Sequence, residues 1–205
     1  MQLKNNFWFF EKALSESFCN EIIKSGFDAN PKLAKTHKYH NKKITSKNKK
    51  DLKKLRDSNV AFLDHPWIYR DIDQIFKAAN HNARWNFQYD FYESAQFTVY
   101  EKNQHYGWHV DANVDPYSNN VSENYKGKIR KLSATIALNN AKDYKGGEFQ
   151  IDLSTPTEKR LFKVPALKKK GSIVVFPSHL QHRVTPVTKG IRYSLVIWAL
   201  GLPWR

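Results

Sequence analysis

Phe18, Ile22 and Ile23 repeat at helical spacing behind Ser15, a residue suited to an N-cap, while Gly26 suits the position just past a helix end; the pattern predicts a short helix over residues 15–26. Trp67, Ile68, Ile72, Ile75 and Phe76 recur three and four residues apart and predict a second helix over 66–79. After Asn80 the period changes. Residues 85–92, 95–100, 132–138, 148–151, 172–176 and 192–200 form short runs rich in β-branched and aromatic side chains. Asn139-Asn140, Gly146-Gly147, Lys170-Gly171 and Lys189-Gly190 punctuate them as turns. Helices followed by many strands predict an α+β chain whose C-terminal half is a β-sandwich or jelly roll.

The chain has 205 residues, of which 40% are apolar and 14% aromatic, enough to bury a sizeable core. That composition excludes a disordered chain and a metal- or disulfide-dependent mini-fold. We expect one domain over 1–205, with an N-terminal helical region at 1–84 and a β-rich core at 85–205. Cys19 is the only cysteine and cannot form an internal disulfide. The opening aromatic run at 7–10 is interrupted at once by Glu11 and Lys12, and the longest apolar run, 195–202, is too short to span a bilayer. A soluble, cytoplasmic protein without membrane contact is therefore expected. Net charge is +15, and residues 32–56 hold 11 Lys or Arg against one acid, Asp51. This basic segment could meet an acidic partner or nucleic acid. It reads equally as a solvated charged stretch, because Tyr39 is the one aromatic interleaved with the charges.

One His-x-Asp occurs, His109-Val110-Asp111, and at a strand end residues i and i+2 point to the same side, so an imidazole and a carboxylate can grip one ion. His182, which follows an apolar run and the turn Pro177-Ser178, is the best third ligand. Two imidazoles and one carboxylate suit a non-haem Fe(II) oxygenase, leaving positions free for cosubstrate and dioxygen. Zinc accepts the same set. Arg192 separates the two: alternation along 192–198 places Arg192, Ser194, Val196 and Trp198 on one face, and an inward arginine needs an anion such as a dicarboxylate. A hydrolytic zinc site has no such need. His105, four residues from His109 on an extended segment, is too far away to share the ion. His37, His40, His65, His81 and His179 read as surface or structural histidines, and Trp198 as core rather than substrate-facing.

The runs Gln96-Phe97-Thr98-Val99-Tyr100, His105-Tyr106-Gly107-Trp108-His109-Val110-Asp111, Lys131-Leu132-Ser133, Gly146-Gly147-Glu148-Phe149, Phe176-Pro177-Ser178 and the stretch from His182 to Arg192 carry a resemblance. Over roughly residues 57–204 the chain resembles the Fe(II)- and 2-oxoglutarate-dependent oxygenases of the prolyl 4-hydroxylase type, and within them the PKHD-type hydroxylases. The basic segment has no counterpart there. The resemblance implies a double-stranded β-helix, a cupin-like jelly roll, with the N-terminal helices packed on one sheet. It implies iron held by His109, Asp111 and His182, the distal carboxylate of 2-oxoglutarate paired with Arg192, and further hydrogen bonds to that cosubstrate from Tyr100 and Ser194. The implied reaction is dioxygenase hydroxylation of a C–H bond, in the first instance on a prolyl or other residue of a peptide or protein, with O2 consumed, succinate and CO2 as coproducts and ascorbate supportive. Two alternatives stand beside it. AlkB-like oxidative demethylation of nucleic acid suits the positive charge, although that type carries a second arginine where this chain has Trp198. A non-catalytic, cupin-like binding module is disfavoured by the complete set His109, Asp111, His182 and Arg192.

Overall fold

The computed structural model describes residues 3–35, 45–112, 115–118 and 121–204. In chain order the first elements are β1 (Trp8–Phe10), α1 (Glu16–Asp28), β2 (Lys32–Leu33), α2 (Ser46–Leu55), β3 (Arg56–Asp57), β4 (Asn59–Leu63) and α3 (Pro66–Asn82). Strands β5 (Phe91–Tyr92), β6 (Ala95–Tyr100), β7 (His105–His109), β8 (Ile129–Ala137), β9 (Tyr144–Gly146) and β10 (Phe149–Asp152) follow. The chain continues through β11 (Leu161–Lys163), β12 (Ile173–Pro177), β13 (Gln181–Val184), β14 (Val187–Gly190) and β15 (Arg192–Gly201).

Two antiparallel sheets face each other. The larger runs β1-β12-β8-β15-β6-β4-β2, with β5 also on β15, and the smaller runs β11-β10-β13-β7-β3. This is the expected double-stranded β-helix. One core lies between the larger sheet and helices α1 and α3, where Phe18, Ile22, Ile72 and Phe76 meet Phe97, Leu132, Leu195 and Ile197. A second lies between the sheets and joins Tyr100, Phe149, Ile151, Val174, Phe176 and Val184. Period-2 alternation divides β15 between them: Leu195, Ile197 and Ala199 pack in the helix-side core, and the opposite face carries Arg192, Ser194 and Trp198.

Several elements differ from expectation for identifiable reasons. Ser15 does cap α1, its hydroxyl accepting from the Phe18 amide at 3.1 Å, but the helix continues past Gly26 to Asp28. Gly26 is a contact residue instead, since a Cβ there would lie 2.3 Å from the Phe97 ring. Of 85–92 only Phe91–Tyr92 is strand. Arg84 and Asn86 turn the chain with positive φ, and the Asn80 side-chain amide holds Phe87 through reciprocal 2.9 Å bonds to its N–H and C=O, a local substitute for ladder bonds. The region 1–84 is not only helical: β1, β2 and β4 extend the larger sheet and β3 closes an edge of the smaller. The helices also divide, for α1 and α3 pack on the larger sheet while α2 lies against β3 and β7.

Within the basic segment, α2 is anchored by Leu52, which is fully buried, and it leads without a loop into β3. Tyr39 and His40, like His37, lie outside the described residues. No helix among the described residues is long and apolar enough to cross a membrane.

Candidate metal centre

His109 ends β7 and His182 lies on β13, where the two are register partners. The next paired position is Val184 with Tyr106, so two steps along β13 match three along β7. This bulge turns both Tyr106 and His109 toward the interior, a reversal that simple alternation does not predict. The two rings stack with centroids 3.5 Å apart and planes at 12°. Trp108 lies under the Arg183 guanidinium at 4.5 Å, and that guanidinium donates through Nε to Gln150.

Asp111 follows β7 and is held by its backbone: its N–H and that of Ala112 both donate to the Ser178 carbonyl at 2.9 Å. Ser178 itself is tied to Ser133, hydroxyl to hydroxyl, at 2.9 Å. The carboxylate oxygens stand 3.6 Å from His109 Nε2 and 3.5 Å from His182 Nε2, and one donor atom from each residue can be chosen so that all lie within 4.8 Å of one another. The His109 Nδ1 sits 2.8 Å from the Gly107 carbonyl and the His182 Nδ1 2.9 Å from the Leu180 carbonyl. A carbonyl only accepts, so each Nδ1 carries the proton and each Nε2 presents its lone pair toward the carboxylate.

Asp111 Oδ2 is buried without a hydrogen-bond donor. The Trp198 indole N–H lies beside the carboxylate and is likewise buried and unpaired. Burial, then the charge of His182, pushes the His109 imidazole well below its ordinary range. Burial alone would raise the Asp111 carboxyl, but its electrostatic neighbours His182, His109 and Arg130 outweigh burial and hold the group below the usual carboxylate value. A neutral imidazole, an ionised carboxylate and an orphaned buried oxygen are what a divalent cation requires of its ligands. The residues present fit such an ion.

Behind this trio Arg130 grips Glu93 with both prongs, at 2.7 and 2.6 Å, donates to the Asp111 carbonyl at 3.3 Å and lies 3.9 Å over the Trp198 ring. Trp198, expected in the core, is thus buried but clamped beside Asp111 rather than within either apolar cluster.

Arg192 is 2% exposed, faces Tyr100 as its register partner, lies 5.3 Å over that ring and donates to the Ser194 hydroxyl at 3.0 Å. No carboxylate pairs with it among the described residues. Gly147, expected only as a turn, makes this position possible: with φ at +59° it brings the backbone so close that a Cβ would lie 2.9 Å from Arg192 Cδ. A cavity of about 360 Å³ opens beside Arg192, walled by Tyr144, Gly147, Phe149, Val164 and Leu167. Burial pushes the Tyr100 phenol up, so it stays a neutral hydrogen-bonding group. His105 is outside the cluster, its ring nitrogens near the Asn103 and Lys54 carbonyls.

Sequence reasoning missed the Arg130–Glu93 clamp, the burial of Arg56 and the direction in which Tyr106 faces. Arg56 was counted only as one charge of the basic segment, yet it is 6% exposed and lies 4.4 Å over Tyr106. The spacing Arg-x-Ser, present at Arg56-Asp57-Ser58 as at Arg192-Tyr193-Ser194, could have found it.

The family model for the 2OG-Fe(II) oxygenase superfamily matches residues 95–200, which include the metal trio, Tyr100 and Arg192. A PKHD-type hydroxylase of Pseudoalteromonas atlantica is 36% identical over 108 residues, 52% of this chain and 43% of that protein. The PKHD-type hydroxylase YbiX of Escherichia coli is 39% identical over 103 residues, 50% of this chain and 40% of the relative. The matched part thus spans less than half the length of these relatives. Among solved structures, a Pseudomonas putida prolyl-4-hydroxylase superposes with a TM-score of 0.65 at 17% identity, covering 96% of this chain and 93% of its own. A viral collagen prolyl hydroxylase from Paramecium bursaria Chlorella virus-1 gives 0.63 at 17% identity, with 97% and 98% covered. At such identities the likeness is one of fold.

Proposed function

The chain belongs to the 2OG-Fe(II) oxygenase superfamily, and from that premise we propose that it is an Fe(II)- and 2-oxoglutarate-dependent dioxygenase that hydroxylates a C–H bond of a prolyl or other residue in a peptide or protein. The observation that carries this reading is the joint presence, between the same two sheets, of a cation-ready trio and an arginine that no carboxylate of the described residues pairs with. His109 and His182 would hold iron through Nε2 and Asp111 through its carboxylate. Arg192 would take the distal carboxylate of 2-oxoglutarate, with Tyr100 and Ser194 beside it as hydrogen-bonding groups. Bound there, the iron and its oxo acid supply the oxidation R–H + O2 + 2-oxoglutarate → R–OH + succinate + CO2, one oxygen atom entering each organic product.

The chain's own contribution is positional. The Gly107 and Leu180 carbonyls fix both imidazoles in the ligating tautomer. Arg130 and Ser178 fix the backbone on either side of Asp111. Phe149 and Phe176 pack 5.5 and 4.8 Å from the His182 ring and keep water from that side. The names of the hydroxylase relatives and of the prolyl hydroxylase structures support the reaction and the peptide substrate.

The test is succinate formation by the purified protein with Fe(II), ascorbate and 2-oxoglutarate, followed by NMR. Proline-containing peptides are then searched by mass spectrometry for the gain of one oxygen atom. Succinate at the level of His182→Ala would overturn the reading; succinate without peptide oxidation would overturn only the substrate class.

A further inference from the structure

Three guanidiniums border the metal centre. Arg130 is neutralised by Glu93. Arg192 and Arg56 have no carboxylate partner among the described residues, and both stand beside Tyr100, whose phenol feels the charge of Arg56 ahead of that of Arg192. The two are built alike. Each opens a strand, β15 or β3, each is almost fully buried, and each donates to the serine two residues on, Arg192 to Ser194 and Arg56 Nε to Ser58, at 3.0 Å in both cases. Arg56 Nη2 is left buried with no partner at all. The neighbouring acid is not available to it, because Asp57 is engaged by Lys53 at 2.9 Å and Gln104 at 3.5 Å.

Burying a cation without a counter-ion is costly, and a buried donor without an acceptor adds to the cost, so both features call for an anion that the described residues do not supply. In the reading above Arg192 takes the distal carboxylate of 2-oxoglutarate, and the oxo acid end would be left to the metal. Arg56 calls for a further anion. We propose that Arg56 is a second carboxylate-binding residue of this site, taking a carboxylate carried by the substrate that is hydroxylated; this rests on the proposed cosubstrate site. A carboxylate is favoured over a doubly charged phosphate because one guanidinium, with its Nε already committed, balances one negative charge. The place is apt: Arg56 lies 4.4 Å over Tyr106, which in turn stacks on His109, so a single ring separates this guanidinium from the metal trio.

The experiment loads the protein with Mn(II), a redox-inert stand-in for iron, and saturating 2-oxoglutarate, then titrates acetate and, separately, acetamide. Wild type is expected to bind acetate with a millimolar Kd and acetamide at least tenfold more weakly. Arg56→Gln should weaken acetate at least tenfold, and Arg56→Lys should retain part of the binding. No acetate binding in wild type, or binding that Arg56→Gln leaves unchanged, overturns the proposal. So does a tenfold loss of 2-oxoglutarate affinity in Arg56→Gln, which would give the carboxylate to the cosubstrate. Circular dichroism melting separates a structural role: Arg56→Gln should melt no lower than wild type, since it removes an uncompensated charge. A lower melting temperature in both variants, with acetate binding lost in both, would make Arg56 a support for Tyr106 and sink the assignment. If Mn(II) and 2-oxoglutarate do not bind, the dioxygenase reading fails, and acetate titration of the metal-free protein still decides whether Arg56 takes a carboxylate.

Discussion

His109 and His182 sit directly opposite each other on paired strands, their ring centroids 4.1 Å apart, with Asp111 within 3.6 Å of both Nε2 atoms. Because two strands and a following loop each supply one donor, no pair of them replaces the third. His109→Ala, Asp111→Ala and His182→Ala should each lower metal affinity by more than the roughly 10- to 100-fold that loss of a merely supporting group costs, and each should abolish succinate formation. The fold should survive, since none of the three belongs to the apolar cores. Metal titration with circular dichroism checks both halves, and tight metal binding by His182→Ala would refute the assignment.

Arg192→Ala should weaken 2-oxoglutarate by roughly two to three orders of magnitude, because breaking a buried charge-assisted pair from one side costs about 3–5 kcal/mol. Metal binding should persist. Arg192→Lys should recover part of the loss, a point charge replacing a two-pronged donor. An unchanged KM for 2-oxoglutarate in Arg192→Ala would exclude this residue as the carboxylate's partner.

Acid should destabilise the metal-free protein through the same residues. Burial, then His182, lowers the His109 imidazole, so below the ordinary value of about 6.5 the unfolded chain takes up a proton that the native state refuses. Stability is therefore fully present above that pH and is lost as pH falls. Asp111 acts in the same direction further down: despite burial, its electrostatic neighbours lower it, so the unfolded chain protonates first, below about 3.9. Unfolding free energies from denaturant titrations between pH 7 and 4 should fall more steeply in wild type than in His109→Gln, by on the order of 1 kcal/mol per pH unit. Parallel curves would show that His109 is not held neutral.

What the sequence made legible follows from what is local. The alternation that places Arg192 and Ser194 together is a consequence of strand period and stands in the structure as read; His109 and Asp111 also come together, but Asp111 lies past the end of β7 and is placed by its backbone bonds to Ser178. The bulge in β7 is not local: it depends on pairing with β13, and without it Tyr106 would have faced away from His109. Arg56 was hidden for a different reason. A charge run describes composition, and burial of one member depends on α2 ending where β3 begins to pair with β7. Strand 85–92 failed because Asn80, in a helix, supplies the hydrogen bonds that a neighbouring strand would have offered.

Gly26 is the sharpest such case. As a helix interior residue it should gain up to about 1 kcal/mol on replacement by alanine through propensity alone. The Phe97 ring, however, lies 2.3 Å from where the new Cβ would stand, and Phe97 is fully buried beneath α1. Overpacking costs about 1–3 kcal/mol and should dominate. Gly26→Ala should therefore lower the urea midpoint at unchanged slope, whereas a helix-ending glycine in a left-handed conformation would be marked by positive φ, which Gly26 lacks.

Helix α2 could steer an acidic macromolecule or close over the metal as a lid. The helix is fixed: Leu52 is fully buried, and the Lys54 carbonyl lies 3.2 Å from His105 Nε2 on the strand that ends in His109. Two of its described cations face solvent. Lys50 is exposed and Lys54, although 3.5 Å from Asp51, has a side chain 79% exposed, so neither pair nor burial ties these cations to the fold. Reversing Lys50 and Lys54 to Glu should weaken association with an acidic probe, single-stranded DNA or polyglutamate, and the difference from wild type should shrink as salt rises, since exposed charges are screened over about 10 Å at 0.1 M. Succinate formation without a macromolecule should be unaffected. A lid predicts the opposite pattern, with turnover altered and little dependence on salt. Equal losses of probe binding at low and high salt, accompanied by loss of turnover, would exclude steering.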